Sequence, residues 1–231
     1  ASKLMRFFRE ESLKASQALA EERGGFPNYE HSVYSKKNLK LRNATLNTVA
    51  PTGTISIIAN CSSGIEPLFA LSYVRNVLSG TKLYEVNPLF EEELRRRGLY
   101  SKALLAEVGK RGSIQSVESL PLELRKVFVT AFDIPPEQHL RIQAAFQEFT
   151  DNSVSKTINL PPDSTVEDVR RIYLLAHELR CKGITIYRYG TKKNQVLSFD
   201  SRAGQEREED LSFIMAEPEY SGGCVSGMCP F

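Results

Sequence analysis

The order of hydrophobic patterns over residues 154–189 constrains the fold of this chain more than any other feature of its sequence. Residues 154–160 (VSKTINL) are rich in β-branched side chains, and a proline pair ends the run. Apolar residues at helical spacing follow, beginning after Ser164-Thr165 with Glu167, which resembles a capping box. Residues 183–189 (GITIYRY) are again typical of a strand. This order predicts a strand–helix–strand unit with parallel strands and a right-handed crossover, and therefore an α/β fold.

Further elements are predicted on the N-terminal side of this unit. Amphipathic spacing, with start and stop signals, indicates helices at residues 1–23, from about 55, at 88–111 (two helices broken at Gly98), at 121–129 and at 135–150. Runs of β-branched residues indicate strands at residues 44–49 and 71–83. Residues 26–40 are polar and aromatic with a proline, so we expect a connecting loop there.

The composition changes after Leu197. Residues 198–231 are polar, acidic and glycine-rich, and they contain little periodic apolar content. Such a segment cannot bury enough apolar surface to offset the entropy of ordering it. We therefore expect one large domain at residues 1–197 and a flexible tail at residues 198–231.

The charge balance excludes some classes of partner. Thirty basic and 28 acidic residues give a formal net charge of +2, so we expect no nucleic-acid partner, and any bound anion needs a local site. No apolar run approaches the roughly 20 residues of a membrane helix, and the charged start lacks the apolar segment of a signal peptide. The sequence therefore predicts a cytoplasmic protein without a membrane partner.

Residues 51–56 (PTGTIS) are a candidate phosphate site, because they lie between a predicted strand and a predicted helix. A glycine such as Gly53 lets the backbone approach a ligand, hydroxyls on both sides donate hydrogen bonds, and amides at a helix start attract an anion. An ordinary turn with threonine capping explains the same residues, since the spacing matches neither the P-loop nor the Rossmann motif. The residues alone leave both interpretations open.

A second turn, residues 60–67 (NCSSGIEP), holds the thiol of Cys61 and the carboxylate of Glu66. Such a turn could close over a ligand, although local hydrogen bonding by Glu66 and burial of Cys61 are the simpler interpretation. The three histidines, His31, His139 and His177, have no metal-ligand spacing. No metal site is therefore predicted.

Cys224 and Cys229 form a close pair of thiols near the end of the glycine-rich tail. In a cytosolic chain such a pair indicates redox or metal chemistry. Two thiols on a mobile arm can reduce a disulfide by exchange and then be re-reduced by an external dithiol. Half of a zinc site is the alternative, but no second Cys or His pair lies nearby to complete four ligands.

Several long strings resemble, in the same order, the C-terminal half of class II ribonucleotide reductases, which depend on adenosylcobalamin. The strings are residues 19–34, 42–73 (RNATLNTVAPTGTISIIANCSSGIEPLFALSY), 128–161 (FVTAFDIPPEQHLRIQAAFQEFTDNSVSKTINLP) and 181–197 (CKGITIYRYGTKKNQVL). The resemblance covers roughly residues 15–197. It implies the C-terminal portion of a ten-stranded α/β barrel, which reduces ribonucleotides to 2′-deoxyribonucleotides by radical chemistry that adenosylcobalamin initiates.

The resemblance also implies roles for named residues. The main-chain amides and hydroxyls of Thr52, Gly53, Thr54, Ile55 and Ser56 would bind the phosphate of a ribonucleotide, most simply a diphosphate, and Pro51 would shape the entrance. Cys224 and Cys229 would be the thiol shuttle, with a thioredoxin-like dithiol as its reductant.

Tyr187 and Arg188 lie on the last predicted strand, where related reductases place residues beside the active site. The oxygen-dependent branch relays the radical through two adjacent tyrosines, but here Arg188 occupies the second position, and Tyr189 falls on the opposite face of a strand. A tyrosine relay is therefore disfavoured. Tyr187 stays a candidate catalytic residue, beside a structural or cobalamin-adjacent role for the strand and simple core packing.

The sequence lacks the Asn-x-Cys-x-Glu string on which this family forms its thiyl radical, and it also lacks the cysteine pair that is oxidised as the ribose is reduced. The chain starts at Ala1, which suggests a longer polypeptide. We therefore expect it to be silent alone and to act with an N-terminal reductase part or subunit, or else to be a non-catalytic nucleotide-binding or regulatory module. Half a barrel has unpaired edges and an open apolar interior, so association is expected, and a homo-oligomer is left open.

Overall fold

The computed structural model describes residues 1–59, 61–76, 82–191, 197–198 and 214–215. Its helices are α1 (Ser2–Arg23), α2 (Gly53–Ile58), α3 (Pro88–Arg96), α4 (Lys102–Arg111), α5 (Leu122–Val127), α6 (Pro136–Gln147) and α7 (Val166–Glu178). Its strands are β1 (Ser72–Asn76), β2 (Lys82–Val86), β3 (Thr157–Leu160), β4 (Thr185–Arg188), β5 (Leu197–Ser198) and β6 (Ile214–Met215). Apart from Ser198 and β6, the predicted tail lies outside the described residues, so the division into domain and tail stays a prediction.

The described residues form two compact units, each built from segments that are distant in sequence. The first unit comprises Ala1–Gly53, Ser63–Ile65 and Pro135–Tyr187. The second comprises Thr54–Ser62, Glu66–Ile134 and the described residues after Tyr187. Among the described residues, no helix has both the length and the apolar character that a bilayer crossing requires.

The predicted order of strand, helix and strand is confirmed in the first unit, where β3 and β4 pair in a two-stranded sheet and α7 connects them. The parallel direction of the strands and the right-handed crossover stay predictions. The apolar core of this unit lies between the sheet, α6 and α7, and its buried members are Leu140, Ile158, Leu160, Ile172 and Ala176. The capping box at the start of α7 joins Thr165 to Asp168, not to Glu167 as the sequence indicated. Ser164 and Glu167 have the same spacing, but the N-cap of the helix is Thr165, so the third helical residue is Asp168.

A buried polar stripe on α6 fixes the backbone that leads into β3 and β4. The side-chain amide of Gln143 donates to Val154 O at 3.3 Å and to Gly183 O at 2.7 Å. One turn earlier, His139 Nδ1 lies 2.9 Å from the Nζ of buried Lys156. Burial of backbone carbonyls is costly unless they are hydrogen-bonded, so this stripe satisfies groups that an apolar helix face would leave unpaired.

The strand predicted at residues 44–49 is wrong. Val49 alone forms a β-bridge, with Val154, and it is parallel. The preceding backbone is held by other groups, since Leu46 N donates to the carboxylate of Asp151 at 3.0 Å. A β-branched run becomes a strand only where a partner strand meets it along its length.

In the second unit the single strand predicted at residues 71–83 is also wrong, because β1 and β2 pair antiparallel, with Val74 opposite Tyr84. The sheet order is β5-β1-β2-β6. The core packs Leu71 against side chains of α3, α4 and α5, among them Phe90, Leu94, Val108 and Leu124. The break at Gly98 between α3 and α4 is confirmed, and the loop at residues 26–40 holds two 3₁₀ turns, Tyr29–His31 and Ser35–Lys37.

Candidate phosphate-binding site

The loop predicted to bind phosphate leads directly into α2, which begins at Gly53, two residues earlier than the sequence indicated. Gly53, Thr54 and Ile55 therefore form the first helical turn, where backbone N–H groups have no carbonyl partner within the helix. Nothing lies within 4 Å of the position that a Cβ on Gly53 would take, so there is space on that side of the residue. The helix has only six residues, and its dipole alone is a weak attraction for an anion.

Thr52 precedes this turn in a left-handed conformation, with a φ of 53°. For a β-branched residue this conformation is an outlier that costs about 1–3 kcal/mol unless its surroundings impose it. The surroundings do so here, since Gly64 N donates to Thr52 Oγ1 at 2.8 Å and the Ser63 hydroxyl donates to Pro51 O. Gly64 itself has a φ of 52°.

The side chains of residues 51–56 differ in their exposure. Pro51, Thr54 and Ile55 are exposed, and Thr52 is half-buried. Ser56 is buried, at 6% exposure. A ligand at this loop would therefore meet the side chains of Thr52 and Thr54, whereas Ser56 would act from beneath the surface.

The second small-residue turn meets the first loop through the backbone N–H of Gly64 and the hydroxyl of Ser63. Sequence reasoning noticed the turn for Cys61 and Glu66 but did not single out Ser63 or Gly64. Cys61, which was expected to be buried, is exposed. Its backbone N–H donates to Ser56 O at 3.0 Å. Glu66 is half-buried. The signal that sequence reasoning passed over was Gly64, since an isolated glycine in a turn indicates a positive φ or a close backbone approach.

Tyr187 lies on β4, as predicted, and is half-buried, and its side chain makes no hydrogen bond among the described residues. Tyr189 follows the strand instead of continuing it. Its ring packs edge-on against Phe132 at 5.5 Å and lies 6.4 Å from the ring of Phe69. The catalytic role suggested for Tyr187 stays a prediction. Cys224 and Cys229 lie outside the described residues, so their role as a thiol shuttle stays a prediction too.

The chain is similar to known proteins of one family. The model of the ribonucleotide reductase barrel domain matches residues 40–187, more than half of the chain. A protein of Thermoplasma acidophilum named vitamin B12-dependent ribonucleoside-diphosphate reductase is 46% identical over 98% of this chain. A protein of the same name from Mycobacterium tuberculosis is 44% identical over the whole of it. The chain spans 31% of the length of each of these two relatives.

A solved structure agrees. The alpha subunit of the class Id ribonucleotide reductase of Actinobacillus ureae superposes with a TM-score of 0.67 and 29% identity, over 82% of this chain and 34% of that one. The predicted fold class, part of a reductase-type α/β barrel, is thereby confirmed. Residues 40–187 include both the candidate phosphate loop and β4 through Tyr187, and the chain therefore belongs to the ribonucleotide reductase barrel family.

Proposed function

We propose that this chain is the C-terminal part of an adenosylcobalamin-dependent ribonucleotide reductase, which reduces ribonucleoside diphosphates to 2′-deoxyribonucleotides. The observation that carries the proposal is the loop at residues 51–56, with Thr52 in a left-handed conformation and space beside Gly53, inside the segment that matches the reductase barrel. The names of the two relatives support cobalamin dependence and a diphosphate substrate. We extend these properties to this chain, with residues 1–197 as its share of the barrel and residues 198–231 as its tail.

The phosphate loop would bind the substrate by hydrogen bonds instead of ion pairs. The hydroxyls of Thr52 and Thr54 would donate to phosphate oxygens, and the first-turn amides of α2 would approach beside the open face of Gly53. Hydrogen bonds to an anionic acceptor are about twice as strong as neutral ones. Pro51 would limit the backbone freedom of the entrance, and buried Ser56 would support the turn from within.

The tail would supply the electrons. Reduction of one ribonucleotide removes the 2′-hydroxyl as water and converts two thiols to a disulfide. Cys224 and Cys229 would then reduce that disulfide by thiol–disulfide exchange, becoming a disulfide themselves. A thioredoxin-like dithiol would restore them, which is in keeping with a cytoplasmic location.

The radical-forming part would be a partner segment or subunit, since the relatives are about three times as long as this chain. An exposed apolar stripe on α1 supports such an association. Leu4, Phe7 and Phe8 lie at spacings of three and four residues on one side of the helix and are 53%, 58% and 48% exposed. Exposed apolar patches of this kind mark interaction surfaces.

Adenosylcobalamin would be shared between this chain and that partner. His139 is buried beside Lys156, and His31 and His177 occupy exposed positions outside the phosphate loop. None of these histidines is assigned to the cofactor. Bound adenosylcobalamin would start the radical chemistry.

Complementation tests the proposal. The chain is mixed with the N-terminal part of a related reductase, adenosylcobalamin, CDP and a dithiol, and deoxycytidine diphosphate is measured. Turnover that needs both parts is expected. CDP binding without turnover, with a partner that is competent in its own enzyme, would favour the non-catalytic nucleotide-binding module.

The thiol shuttle is tested in the same mixture with Cys224→Ser and Cys229→Ser. Both variants should lose turnover with thioredoxin but keep it with a small dithiol, which reaches the oxidised site without the tail. Cys61→Ser serves as the control, because Cys61 is an exposed thiol outside the tail. Full turnover of the tail variants with thioredoxin would contradict the shuttle.

A further inference from the structure

We propose that Ser63 and Gly64 are positioning residues for the substrate phosphate. They hold Pro51 and Thr52 in the one conformation that presents the Thr52 hydroxyl to the ligand. The inference rests on the proposed function of residues 51–56 and adds two residues to it. The four residues belong to the same compact unit.

The backbone of Thr52 is held in a rare conformation. Its φ of 53° is rare for a threonine, because the β-branched side chain meets its own backbone in this region. Two hydrogen bonds from the 63–64 turn oppose a return to the extended conformation. Gly64 N donates to Thr52 Oγ1 at 2.8 Å, and the Ser63 hydroxyl donates to Pro51 O.

The hydroxyl of Thr52 accepts one hydrogen bond and keeps its proton to donate. A hydroxyl carries one proton and two lone pairs, and here one lone pair accepts the N–H of Gly64. The proton is therefore left to donate elsewhere, and no protein acceptor for it is found among the described residues. A hydroxyl that is already oriented by an acceptor contact loses less freedom when a phosphate oxygen binds. The N–H of Gly64 thus orients the donor without touching the ligand.

Position 64 needs a glycine. Its φ of 52° disfavours any side chain, and an added Cβ would lie 2.9 Å from Ala50 O and 3.6 Å from Pro51 O. Both atoms are backbone carbonyls and cannot rotate away as a flexible side chain would. An alanine would therefore displace residues 50–52 or open the turn, and either movement breaks the bond to Thr52.

The test is Gly64→Ala in the complemented enzyme, with CDP as the varied substrate. We expect KM for CDP to rise about tenfold, with kcat within about twofold, because one ground-state contact to the phosphate is weakened. Direct calorimetric titration of the same complex with CDP should show the same loss of affinity. Gly98→Ala is the matched control, since Gly98 has a φ of 69° but nothing within 4 Å of its Cβ position.

A second pair of variants separates positioning from folding. Ser63→Ala should raise KM for CDP. Ser63→Thr, which keeps the hydroxyl, should have a KM for CDP close to that of the wild type. An unchanged KM in Gly64→Ala, or equal defects in Gly64→Ala and Gly98→Ala, would overturn the inference. If the wild-type enzyme turns over and Gly64→Ala has the same KM for CDP, this inference alone is refuted. If the wild-type enzyme does not bind CDP, the proposed function and the inference are refuted together.

Discussion

Two surface carboxylates, Glu93 and Asp168, have lowered pKa values because of hydrogen bonds and not because of burial. Arg96 and then Arg97 donate to Glu93 on the surface of α3 and lower its pKa to about 2. The backbone and hydroxyl of Thr165 lower the pKa of Asp168 at the start of α7. Each carboxylate is ionised more readily in the folded chain than in the unfolded one, so each favours folding at neutral pH.

The Glu93 contacts predict a pH dependence. The pKa is lowered, so the contribution to the free energy of unfolding is complete above the ordinary value of 4.5 and is lost as the pH falls towards 2. The stability difference between wild type and Glu93→Gln should therefore shrink across this window in urea titrations. It should be small even at pH 7, since exposed ion pairs contribute little. Glu92→Gln, which removes an exposed carboxylate from the same helix, is the matched control. A stability difference for Glu93→Gln that does not depend on pH would contradict the assignment.

The two described thiols predict different reactivity. Cys61 is exposed, whereas Cys181 is half-buried and burial raises its pKa. Since the thiolate is the reactive form, iodoacetamide at pH 8 should modify Cys61 well before Cys181. Peptide mapping by mass spectrometry measures both rates in one sample. Equal rates in the folded chain would show that Cys181 is not protected.

At the scale of elements, α6 works as a polar connector as well as a packing surface. Leu140 faces the apolar core, while Gln143 and Gln147 are buried and bind backbone carbonyls. Gln143 reaches the segments before both β3 and β4, and Val154 in turn bridges Val49. One side chain thus connects three chain segments that are far apart in sequence.

Gln143→Met is the test of this role. Methionine has a similar volume but leaves the carbonyls of Val154 and Gly183 without their donor, so unfolding should become easier by about 1–3 kcal/mol. Chemical denaturation measures the change. Gln138→Met on the exposed side of the same helix should have little effect. Similar stability of the two variants would refute the connector role of Gln143.

At the scale of the whole molecule, the chain spans about a third of the length of the two relatives, and it presents exposed apolar surface. The stripe of Leu4, Phe7 and Phe8 is the clearest example, because neighbouring positions of α1 such as Met5 are buried. Each Å² of apolar surface removed from water stabilises the associated state by about 25 cal/mol. Such a surface favours association, either with the proposed N-terminal partner or between copies of this chain.

Replacing Phe7 and Phe8 by serine should therefore reduce self-association of the isolated chain, as measured by light scattering over a concentration series. The same double variant should need more N-terminal partner to reach half-maximal turnover in the complementation assay. Val33→Ser removes an isolated exposed side chain and serves as the control. Unchanged association of the double variant would assign the contact to another surface.

Local patterns determined where most elements lie. The amphipathic spacing of α1, the break at Gly98 and the alternation around α7 each depend on neighbours within a few residues, and the structure confirms them. Long strings also identified the reductase family, because they combine many such local requirements in one order. The roles of Tyr187, Cys224 and Cys229 stay predictions.

Tertiary structure decided what depends on residues brought together from afar. Whether residues 44–49 formed a strand depended on a partner more than 100 positions away, and only Val49 met it. The sequence of residues 51–56 indicated a phosphate loop, but the left-handed Thr52 and its support from Ser63 and Gly64 arise from a contact across a turn. Propensity acts along the chain, whereas hydrogen-bond partners and steric limits act through space, so only the folded chain specifies them.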